Sequence, residues 1–352
     1  MVYRRLEGRD VRHLVTGGSG FLGHLIARRL LERGESVRVL DVWKDPSMSE
    51  DIEFVECDIR DRDGVARAMT GIDVVHHNVA LVPLTKSGRA FEAVNVDGAR
   101  IAAECAVAAG VDAFVNMSSS ALYGQPGEVP ITDRTPTRPI EIYGRAKLAG
   151  EEAVGRVCSQ ASLPLISIRP RTLLGEGRLG IFQILFEWMN AERDVYVIGS
   201  GDVDFQFLHA HDMMDFYMLA LDAGRPGFYN VGTDRYGTLR EALTGLIEHA
   251  GTASRVRSLP EGLTIGALRA LDFLRLSPLA PWHYLTYHKA FAFDVAPLLA
   301  MGWKPRYSNA EMLCESYDWY LEHRHDPPAQ AGGSPHRKSV PQGLLRLLKR
   351  FS

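Results

Sequence analysis

The sequence predicts an α/β fold in which a doubly wound parallel sheet is followed by a smaller C-terminal lobe. The main observation is that short apolar runs alternate with longer segments of helical spacing between residues 11 and about 170. A chain that alternates strands and helices in this way forms a parallel sheet with helices on both faces. The length of 352 residues allows one large domain or two that pack closely.

Six apolar runs predict the strands of this sheet, in the order HLVTG, SVRVLD, IEFVECD, DVVHHNV, AFVNMSS and PLISIRP. Four segments between them have apolar residues at helical spacing, which predicts helices. These segments are FLGHLIARRLLERG, RDGVARAMTG, FEAVNVDGARIAAECAVAAG and the run that follows Tyr143.

The alternation becomes less regular after about residue 171. We expect helices near 179–192, 238–250 and 307–323, with short strands near 195–209 and 228–231. Ligands of open α/β sheets bind at the carboxyl edge, so we expect the lobe to close over that edge. The predicted division is a sheet domain over 11–175, a mainly substrate-binding lobe over 176–323 with some segments returning to the sheet, and a disordered tail over 324–352.

Composition excludes several classes of partner. A net charge of −3 gives no support for binding to nucleic acid or to an anionic membrane surface. The charged N-terminus does not resemble a secretory signal, and no apolar run reaches the roughly 18 residues of a membrane span. Four scattered cysteines without a CxxC pair indicate reduced thiols. We therefore expect a cytoplasmic protein without an integral membrane segment. The basic run GLLRLLKRFS at the end could form a short amphipathic helix.

A glycine-rich turn lies between the first predicted strand and the first helix, in TGGSGFLG. Gly17 would allow the tight turn, Gly20 the approach of backbone N–H groups to a pyrophosphate, and Gly23 the packing of helix on strand. Phe21 and Leu22 open the helix, whose N-terminus carries partial positive charge. The pattern predicts a dinucleotide site, and the alternative is a glycine turn without a ligand.

The acidic residue that ends the second predicted strand indicates which dinucleotide is bound. Asp41 could accept hydrogen bonds from both ribose hydroxyls and would repel a 2′-phosphate, which favours NAD over NADP. Asp58 and Ile59 follow the third predicted strand and are expected beside the adenine. We expect NAD to be the cofactor.

A tyrosine and a lysine one helical turn apart, Tyr143 and Lys147, follow Ser119 at the end of the fifth predicted strand. Lowering a tyrosine pKa from about 10 to about 7 takes roughly 4 kcal/mol. An ammonium about 4 Å away supplies roughly that much at an effective dielectric constant of about 20. We interpret Tyr143 as a general base toward a substrate hydroxyl, with Ser119 holding that oxygen. The alternative is an ordinary helix face with an aromatic and a charge.

In this order, TGGSGFLG, NVDGAR, SSSALYG, YGRAK and IRP resemble the extended short-chain dehydrogenase/reductase superfamily, and within it the NAD-dependent epimerase/dehydratase group. The resemblance implies a Rossmann-type domain, bound NAD and a Ser–Tyr–Lys site. It places the catalytic serine on Ser119. It also implies that Lys147 orients the nicotinamide ribose, and it implies the following contacts: Tyr143, Lys147, Ser118, Asn95 and Pro170 toward the cofactor, and Ser120 and Arg171 toward the substrate.

The sequence departs from that group at positions that narrow the reaction. Dehydratases of the group carry Asp-Glu after the catalytic residue, but Ser120 and Ala121 stand here. Dehydration is therefore not expected, whereas oxidation, reduction and epimerisation remain open. Phe205 stands where sugar-nucleotide enzymes often have an arginine for the diphosphate, and Thr172 replaces a common asparagine. Arg171, Arg178 and Arg235 are the candidate replacements for that arginine.

Three functions remain open from the sequence. The first is an NAD-dependent enzyme that acts on a secondary alcohol carbon of a nucleotide-linked sugar. The second is an enzyme similar to 3β-hydroxysteroid dehydrogenases that acts on an apolar alcohol, which Phe205 and the aromatic segment 276–305 favour. That segment could line an apolar pocket, although aromatic packing between the lobes is the simpler interpretation. The third is an NAD-binding regulatory protein, which keeping both Tyr143 and Lys147 disfavours.

The remaining expectations concern histidines and assembly. His76 and His77 lack further metal-ligating neighbours in the sequence, so no metal site is expected. His209 and His211 alternate on a predicted strand, where structural hydrogen bonds are expected. The resemblance also implies a homodimer that pairs through the helices near 90–109 and 143–158, whose small residues suit close packing.

Overall fold

The computed structural model describes residues 10–82, 88, 90–274, 277 and 279–325. Most of the predicted tail lies outside these residues. Thirteen strands are present in the described part of the chain. They are β1 (Arg12–Thr16), β2 (Ser36–Asp41), β3 (Glu53–Glu56), β4 (Val74–His77), β5 (Ala113–Met117), β6 (Leu165–Pro170), β7 (Thr172–Leu174), β8 (Val195–Ile198), β9 (Asp204–Phe205), β10 (Phe207–His209), β11 (Gly227–Val231), β12 (Gly237–Thr238) and β13 (Val256–Leu259).

Seven of these strands form one parallel sheet in the order β3-β2-β1-β4-β5-β6-β11. Every residue of β4 and β5 is buried, as expected for strands covered on both faces. The chain changes direction between β1 and β4, which opens a crevice at the carboxyl edge of the sheet. The six predicted strands and the doubly wound parallel sheet are therefore confirmed.

The helices cover both faces of the sheet and build the lobe. They are α1 (Phe21–Glu32), α2 (Arg62–Ala68), α3 (Ala90–Glu92), α4 (Ala99–Ala109), α5 (Ile142–Gln160), α6 (Phe182–Asn190), α7 (Ala210–Ala223), α8 (Leu239–Ala250), α9 (Glu261–Phe273), α10 (Pro281–Thr286), α11 (Ala296–Ala300) and α12 (Asn309–His323). A π-helical turn over Ala93–Gly98 joins α3 to α4, and a 3₁₀ turn spans Ser120–Tyr123. Helices α7, α9, α10 and α11 were not predicted from the sequence.

Helix α5 begins where a carboxylate accepts its first backbone N–H groups. Glu141 accepts hydrogen bonds from Tyr143 N at 2.7 Å and from Gly144 N at 2.5 Å. Such an N-cap satisfies donors that the first helical turn cannot pair. A Cβ at Gly150 would lie 2.1 Å from the Asn95 carbonyl oxygen, so glycine allows α5 to pack directly on the π-helical turn. These contacts fix where Tyr143 stands.

The lobe contains three two-stranded pairs, β7 with β10, β9 with β12, and β8 with β13. The predicted strand through His209 and His211 is wrong at its end, because β10 stops at His209 and α7 starts at Ala210. The His209 ring nitrogen accepts a hydrogen bond from His211 N at 3.2 Å and thereby caps the helix. The structural role expected of these histidines is consistent with that contact.

Within the aromatic segment 276–305, some aromatic side chains pack in the core and others line a cavity, so both interpretations considered from the sequence apply. Phe291 and Phe293 are buried in the core, whereas Trp282, His283 and Tyr287 line the main cavity. All four cysteines are free thiols. In the part of the chain that the structure describes, no helix has the length and apolarity needed to cross a membrane.

Candidate active site

A cavity of about 500 Å³ opens at the carboxyl edge of the sheet and reaches under the lobe. It brings together segments from β1 to α10, which lie far apart in the chain. Most of the predicted site residues line it. They are Gly17, Gly20, Phe21, Leu22, Asp41, Asp58, Ile59, Ser118, Ser119, Ser120, Tyr143, Lys147, Pro170 and Arg171. Two predicted residues, Gly23 and Asn95, are not among the lining residues. Each of them instead positions a neighbouring segment that borders the cavity.

The glycine turn has the geometry that a close backbone approach requires. Gly17 has a φ of +72°, and a Cβ there would lie 2.9 Å from Val79 N. A Cβ on Gly23 would lie 2.1 Å from the Gly17 carbonyl oxygen. Gly23 therefore allows α1 to approach the turn, and Gly20 is the N-cap of α1. The helix N-terminus faces the cavity with unpaired N–H groups and partial positive charge, which suits phosphate oxygens.

Asp41 ends β2 at the edge of the cavity. Its carboxylate accepts hydrogen bonds from Ser19 N at 3.1 Å and Val42 N at 2.8 Å. Burial raises the pKa of Asp41, and these backbone donors partly offset that effect. Asp58 accepts from the Arg60 guanidinium at 2.5 Å and 2.9 Å, which lowers its pKa. The cofactor end of the cavity thus presents two carboxylates.

Asn95 acts through the loop that borders the cavity. Its side-chain oxygen accepts from Leu81 N at 2.8 Å, and its side-chain nitrogen donates to the Leu81 carbonyl oxygen at 3.0 Å. Leu81 itself lines the cavity. Asn95 therefore positions that loop.

Three side chains predicted to share the chemistry meet beside the end of β5. Ser119 and Tyr143 line the cavity close enough together for the Ser119 hydroxyl to lower the pKa of the Tyr143 phenol. The Ser119 hydroxyl oxygen also accepts from Ala121 N at 3.1 Å. Lys147 donates from Nζ to the Met117 carbonyl oxygen at 2.7 Å. The spacing of Tyr143 and Lys147 on α5 brings both side chains to the same cavity.

The expected lowering of the Tyr143 pKa is wrong for this structure. Burial raises the pKa of Tyr143 to about 12, since the phenolate loses its hydration. The Ser119 hydroxyl and the Arg178 charge lower it, and the Glu141 charge raises it. Burial also lowers the pKa of Lys147 to about 8. The Lys147 ammonium donates its hydrogen bond to the Met117 carbonyl oxygen. For Tyr143, the loss of hydration raises the pKa more than the surrounding groups lower it.

Two charged residues near Tyr143 were not assigned this position from the sequence. Glu141 is buried at the N-cap of α5, two residues before Tyr143. An acidic residue just before a helix is a recognisable N-cap signal. Arg178 lines the cavity and lies 5.8 Å from the Phe21 ring centroid. No local pattern marks Arg178, because it reaches Tyr143 only through the fold.

Part of the cavity lining is aromatic and positively charged, with Trp282 and Tyr287 beside two arginines. Phe205, at the position of the missing arginine, is buried, with its ring centroid 4.9 Å from that of Tyr287. Of the three candidate replacements, Arg171 and Arg178 line the cavity. Arg235 forms an ion pair with Glu311 at 3.2 Å and is not among the lining residues.

The buried histidines of β4 make structural contacts. His76 hydrogen bonds to His13 at 2.8 Å and to the Tyr217 hydroxyl at 2.7 Å. His77 hydrogen bonds to Thr16 at 3.0 Å, and burial lowers its pKa to about 3. Among the described residues, no three His, Cys, Asp or Glu side chains are grouped so that they could hold a metal ion.

Known proteins share both the sequence pattern and this architecture. The chain is 42% identical over 336 residues to the uncharacterized protein y4nG of Sinorhizobium fredii, covering 95% of this chain and 85% of that protein. It is 30% identical over 298 residues to a UDP-glucose 4-epimerase of Mycolicibacterium smegmatis, covering 77% and 93%. A 3-beta-hydroxysteroid dehydrogenase of Mycolicibacterium neoaurum is 30% identical over 227 residues, covering 61% and 62%.

A solved structure has the same fold over most of the chain. The UDP-glucose 4-epimerase of Thermus thermophilus in complex with NAD superposes with a TM-score of 0.71 and 25% identity, covering 90% of this chain and all of that one. Residues 13–232 match the NAD dependent epimerase/dehydratase family. The matched range contains the glycine turn, Asp41, Ser119, Tyr143 and Lys147. NAD, the predicted cofactor, is therefore confirmed as the cofactor of the family, and the chain belongs to the NAD dependent epimerase/dehydratase family.

Proposed function

We propose that the protein is an NAD-dependent epimerase that acts on a secondary alcohol carbon of a nucleotide-linked sugar. The observation that carries this proposal is the meeting of Ser119, Tyr143 and Lys147 at one cavity that also contains the glycine turn. A cavity that holds both a dinucleotide site and an acid–base pair can remove a hydride and a proton from the same alcohol. The similarity to the Mycolicibacterium smegmatis epimerase supports the sugar-nucleotide class.

The three side chains would divide the work as follows. Ser119 holds the reacting oxygen, since its hydroxyl lies beside Tyr143 in the cavity lining. Tyr143 takes the proton from that oxygen and returns it, and Lys147 places positive charge at the same end of α5. Bound NAD would supply the chemistry that accepts a hydride from the carbinol carbon and donates it again to the opposite face. The high pKa of Tyr143 means that positive charge at the site is required before the phenol can act as a base near neutral pH.

Dehydration finds no support in the lining of the cavity. An elimination of water requires an acid–base pair near the reacting carbon. Ser120 and Ala121 occupy the positions after Ser119 and both line the cavity. Among the described lining residues, the carboxylates are Asp41 and Asp58, at the cofactor end.

The test is to incubate the NAD-loaded protein with UDP-glucose and related UDP-sugars. We expect inversion at one ring carbon without accumulation of NADH. Stoichiometric release of NADH, or no inversion with any nucleotide sugar, would contradict the epimerase proposal.

A second candidate is an NAD-dependent dehydrogenase of an apolar alcohol. Two aromatic side chains in the cavity lining, Trp282 and Tyr287, and the similarity to a 3-beta-hydroxysteroid dehydrogenase favour it. NADH formed in proportion to a sterol alcohol would support it. A protein that binds NAD without turning over any alcohol would instead be a regulatory member of the family.

We further propose that the protein is a homodimer paired through α4 and α5. These helices pack on one another and carry small residues that the protomer leaves at least partly exposed, such as Ala108, Ala109 and Ala149. Light scattering is expected to give twice the mass of the 352-residue chain, and a monomer would contradict this proposal.

A further inference from the structure

Arg171 is a buried cation that forms no ion pair with any described residue. It follows β6 directly, and its side chain is 2% exposed. The guanidinium carbon lies 3.9 Å from the Phe291 ring centroid and 4.9 Å from that of Phe205. Nε donates to the Gln206 carbonyl oxygen at 2.9 Å, and Nη1 donates to the Ser120 hydroxyl at 3.3 Å. Nη2 is buried without a hydrogen-bond partner in the described part of the chain.

Such an arrangement is costly unless an anion completes it. Buried charges are normally paired, because a charge out of water loses its hydration. Burial lowers the pKa of Arg171 to about 9, which leaves the guanidinium protonated at neutral pH. The aromatic rings above and below it compensate in part through cation–π contacts. The guanidinium therefore remains a strong donor for an oxygen anion.

The position of Arg171 limits which part of a substrate it can reach. Its partner Ser120 is adjacent in sequence to Ser119, and both serines line the same cavity as Arg171 and Tyr143. An anion bound at Arg171 would therefore lie in the same cavity as the reacting oxygen. In a sugar nucleotide that reacts at C4, the diphosphate on C1 is across the ring, whereas a substituent on C5 is adjacent.

The charge distribution of the cavity agrees with an anion at this end. Arg178 lines the same region, and its charge acts on Tyr143 and on Tyr287. The lining carboxylates, Asp41 and Asp58, are at the cofactor end. A neutral hydroxymethyl group on C5 would leave the buried guanidinium uncompensated.

We propose that Arg171 binds a substrate carboxylate next to the reacting carbinol carbon, so that the substrate is a nucleotide-linked uronic acid. This inference rests on the proposed function, because it concerns the substrate of the same site. The carboxylate receives the hydrogen bonds of Nη2, on a guanidinium that packs against the rings of Phe205 and Phe291. Neutral hexoses are rejected since they leave a buried donor unpaired.

The first experiment uses the wild-type protein loaded with NAD and a matched pair of probes. UDP-glucuronic acid and UDP-glucose differ only at C6, where one has a carboxylate and the other a hydroxymethyl group. We expect kcat/KM to be at least about 100-fold higher for the acid, as for sites built around a buried hydrogen bond. Equal values, or a preference for UDP-glucose, would overturn the inference and leave the proposed function intact.

A binding measurement distinguishes a failure of the uronic-acid inference from a failure of the proposed sugar-nucleotide function. UDP-glucuronic acid is expected to raise the melting temperature of the NAD-loaded protein more than UDP-glucose does. Equal shifts would overturn the inference alone. If neither probe binds or reacts, the sugar-nucleotide function fails and the inference fails with it.

The second experiment replaces the arginine while keeping much of its volume. Arg171→Met is expected to bring the acid-to-neutral ratio of kcat/KM close to one and to raise KM for the acid, with NAD affinity unchanged. A role confined to filling the space between the rings would instead lower both activities equally. An unchanged ratio in this variant would overturn the proposal.

Arg169→Met is the matched control, because Arg169 lies two residues before Arg171, near the end of β6. Arg169 is also largely buried, but it pairs with Glu151 and donates to the Tyr123 hydroxyl at 2.8 Å. Its replacement is expected to lower the melting temperature and to leave the acid-to-neutral ratio as in the wild type. A ratio that changes as much as in Arg171→Met would show that the preference does not arise from Arg171.

Discussion

The two ends of the cavity are built in different ways. The cofactor end comes from short loops within residues 17–60, which follow β1, β2 and β3 in turn. The substrate end combines Arg171, Phe205 and Tyr287, which are separated by long stretches of chain. A dinucleotide site can therefore be built from local sequence patterns, whereas the substrate site depends on how distant segments pack.

The two ends also differ in charge and in the kind of group that makes contact. The cofactor end offers backbone N–H groups and the carboxylates of Asp41 and Asp58, which suit phosphates and ribose hydroxyls respectively. The substrate end offers guanidinium groups and aromatic rings. Changes at the first end should alter NAD binding for every substrate. Changes at the second end should alter substrate choice.

Tyr143 lies between the two ends, and its hydroxyl should matter to neither binding step. Tyr143→Phe keeps the ring and its edge contact with Phe91, whose centroid is 6.1 Å away. We expect turnover to fall by about 10²–10⁴-fold, the usual contribution of an acid–base group. NAD affinity, measured by fluorescence titration, should not change. Full activity in this variant would refute the assigned role.

Lys147 allows a test of how much the burial of its charge lowers the free energy of unfolding. Burial lowers its pKa from 10.5 to about 8, so between these values the unfolded chain binds a proton that the folded protein does not. The contribution of Lys147 to the free energy of unfolding therefore rises with pH in that window, by about 3 kcal/mol. Lys147→Met should lose this rise along with most of the turnover. Urea unfolding of the wild-type protein and of Lys147→Met from about pH 8 to about pH 10 measures this rise.

Because other groups titrate in the same pH range, the quantity to compare is the difference in free energy of unfolding between the wild-type protein and Lys147→Met. The advantage of the variant should be largest near pH 7 and should shrink as the pH rises. A difference that does not vary with pH would mean that the folded protein does not lower the pKa of Lys147.

Gly23 probes the cofactor end through packing. A methyl group at this position would lie 2.1 Å from the Gly17 carbonyl oxygen, so α1 must move away from the turn. We expect Gly23→Ala to lower stability by about 1–3 kcal/mol and NAD affinity by about tenfold or more. Gly155→Ala is the control, because a Cβ there meets nothing within 4 Å. It should stabilise α5 by about 0.5–1 kcal/mol without affecting NAD.

Asp41 should produce the smallest effect of this series. Asp41→Asn removes the charge and one acceptor but keeps the shape of the side chain. We expect NAD to bind about tenfold more weakly, in line with the loss of a charge-assisted hydrogen bond. Discrimination against NADP should weaken in parallel, because less charge opposes the 2′-phosphate. Isothermal titration with both dinucleotides gives the ratio, and an unchanged ratio would contradict the role of Asp41.

The sequence predicted much of the fold and of the cofactor end because those features are periodic or contiguous. Alternating apolar runs gave the order of β1 to β6, and the glycine turn gave the start of α1. Prediction failed where a side chain ended one element and began another, as at His209. It also failed for the pKa of Tyr143, since spacing on a helix does not reveal how deeply a phenol is buried.

The sequence alone determined the parallel sheet and the family, and it predicted which residues would transfer the proton. These follow from local chemistry: glycine where backbone must approach closely, a carboxylate after a strand, and tyrosine and lysine one turn apart. Only the tertiary structure decided that Arg171 is enclosed by Phe205 and Phe291 beside Ser120. The physical reason is that burial and the pairing of charges are properties of packed, distant segments, which no stretch of sequence contains.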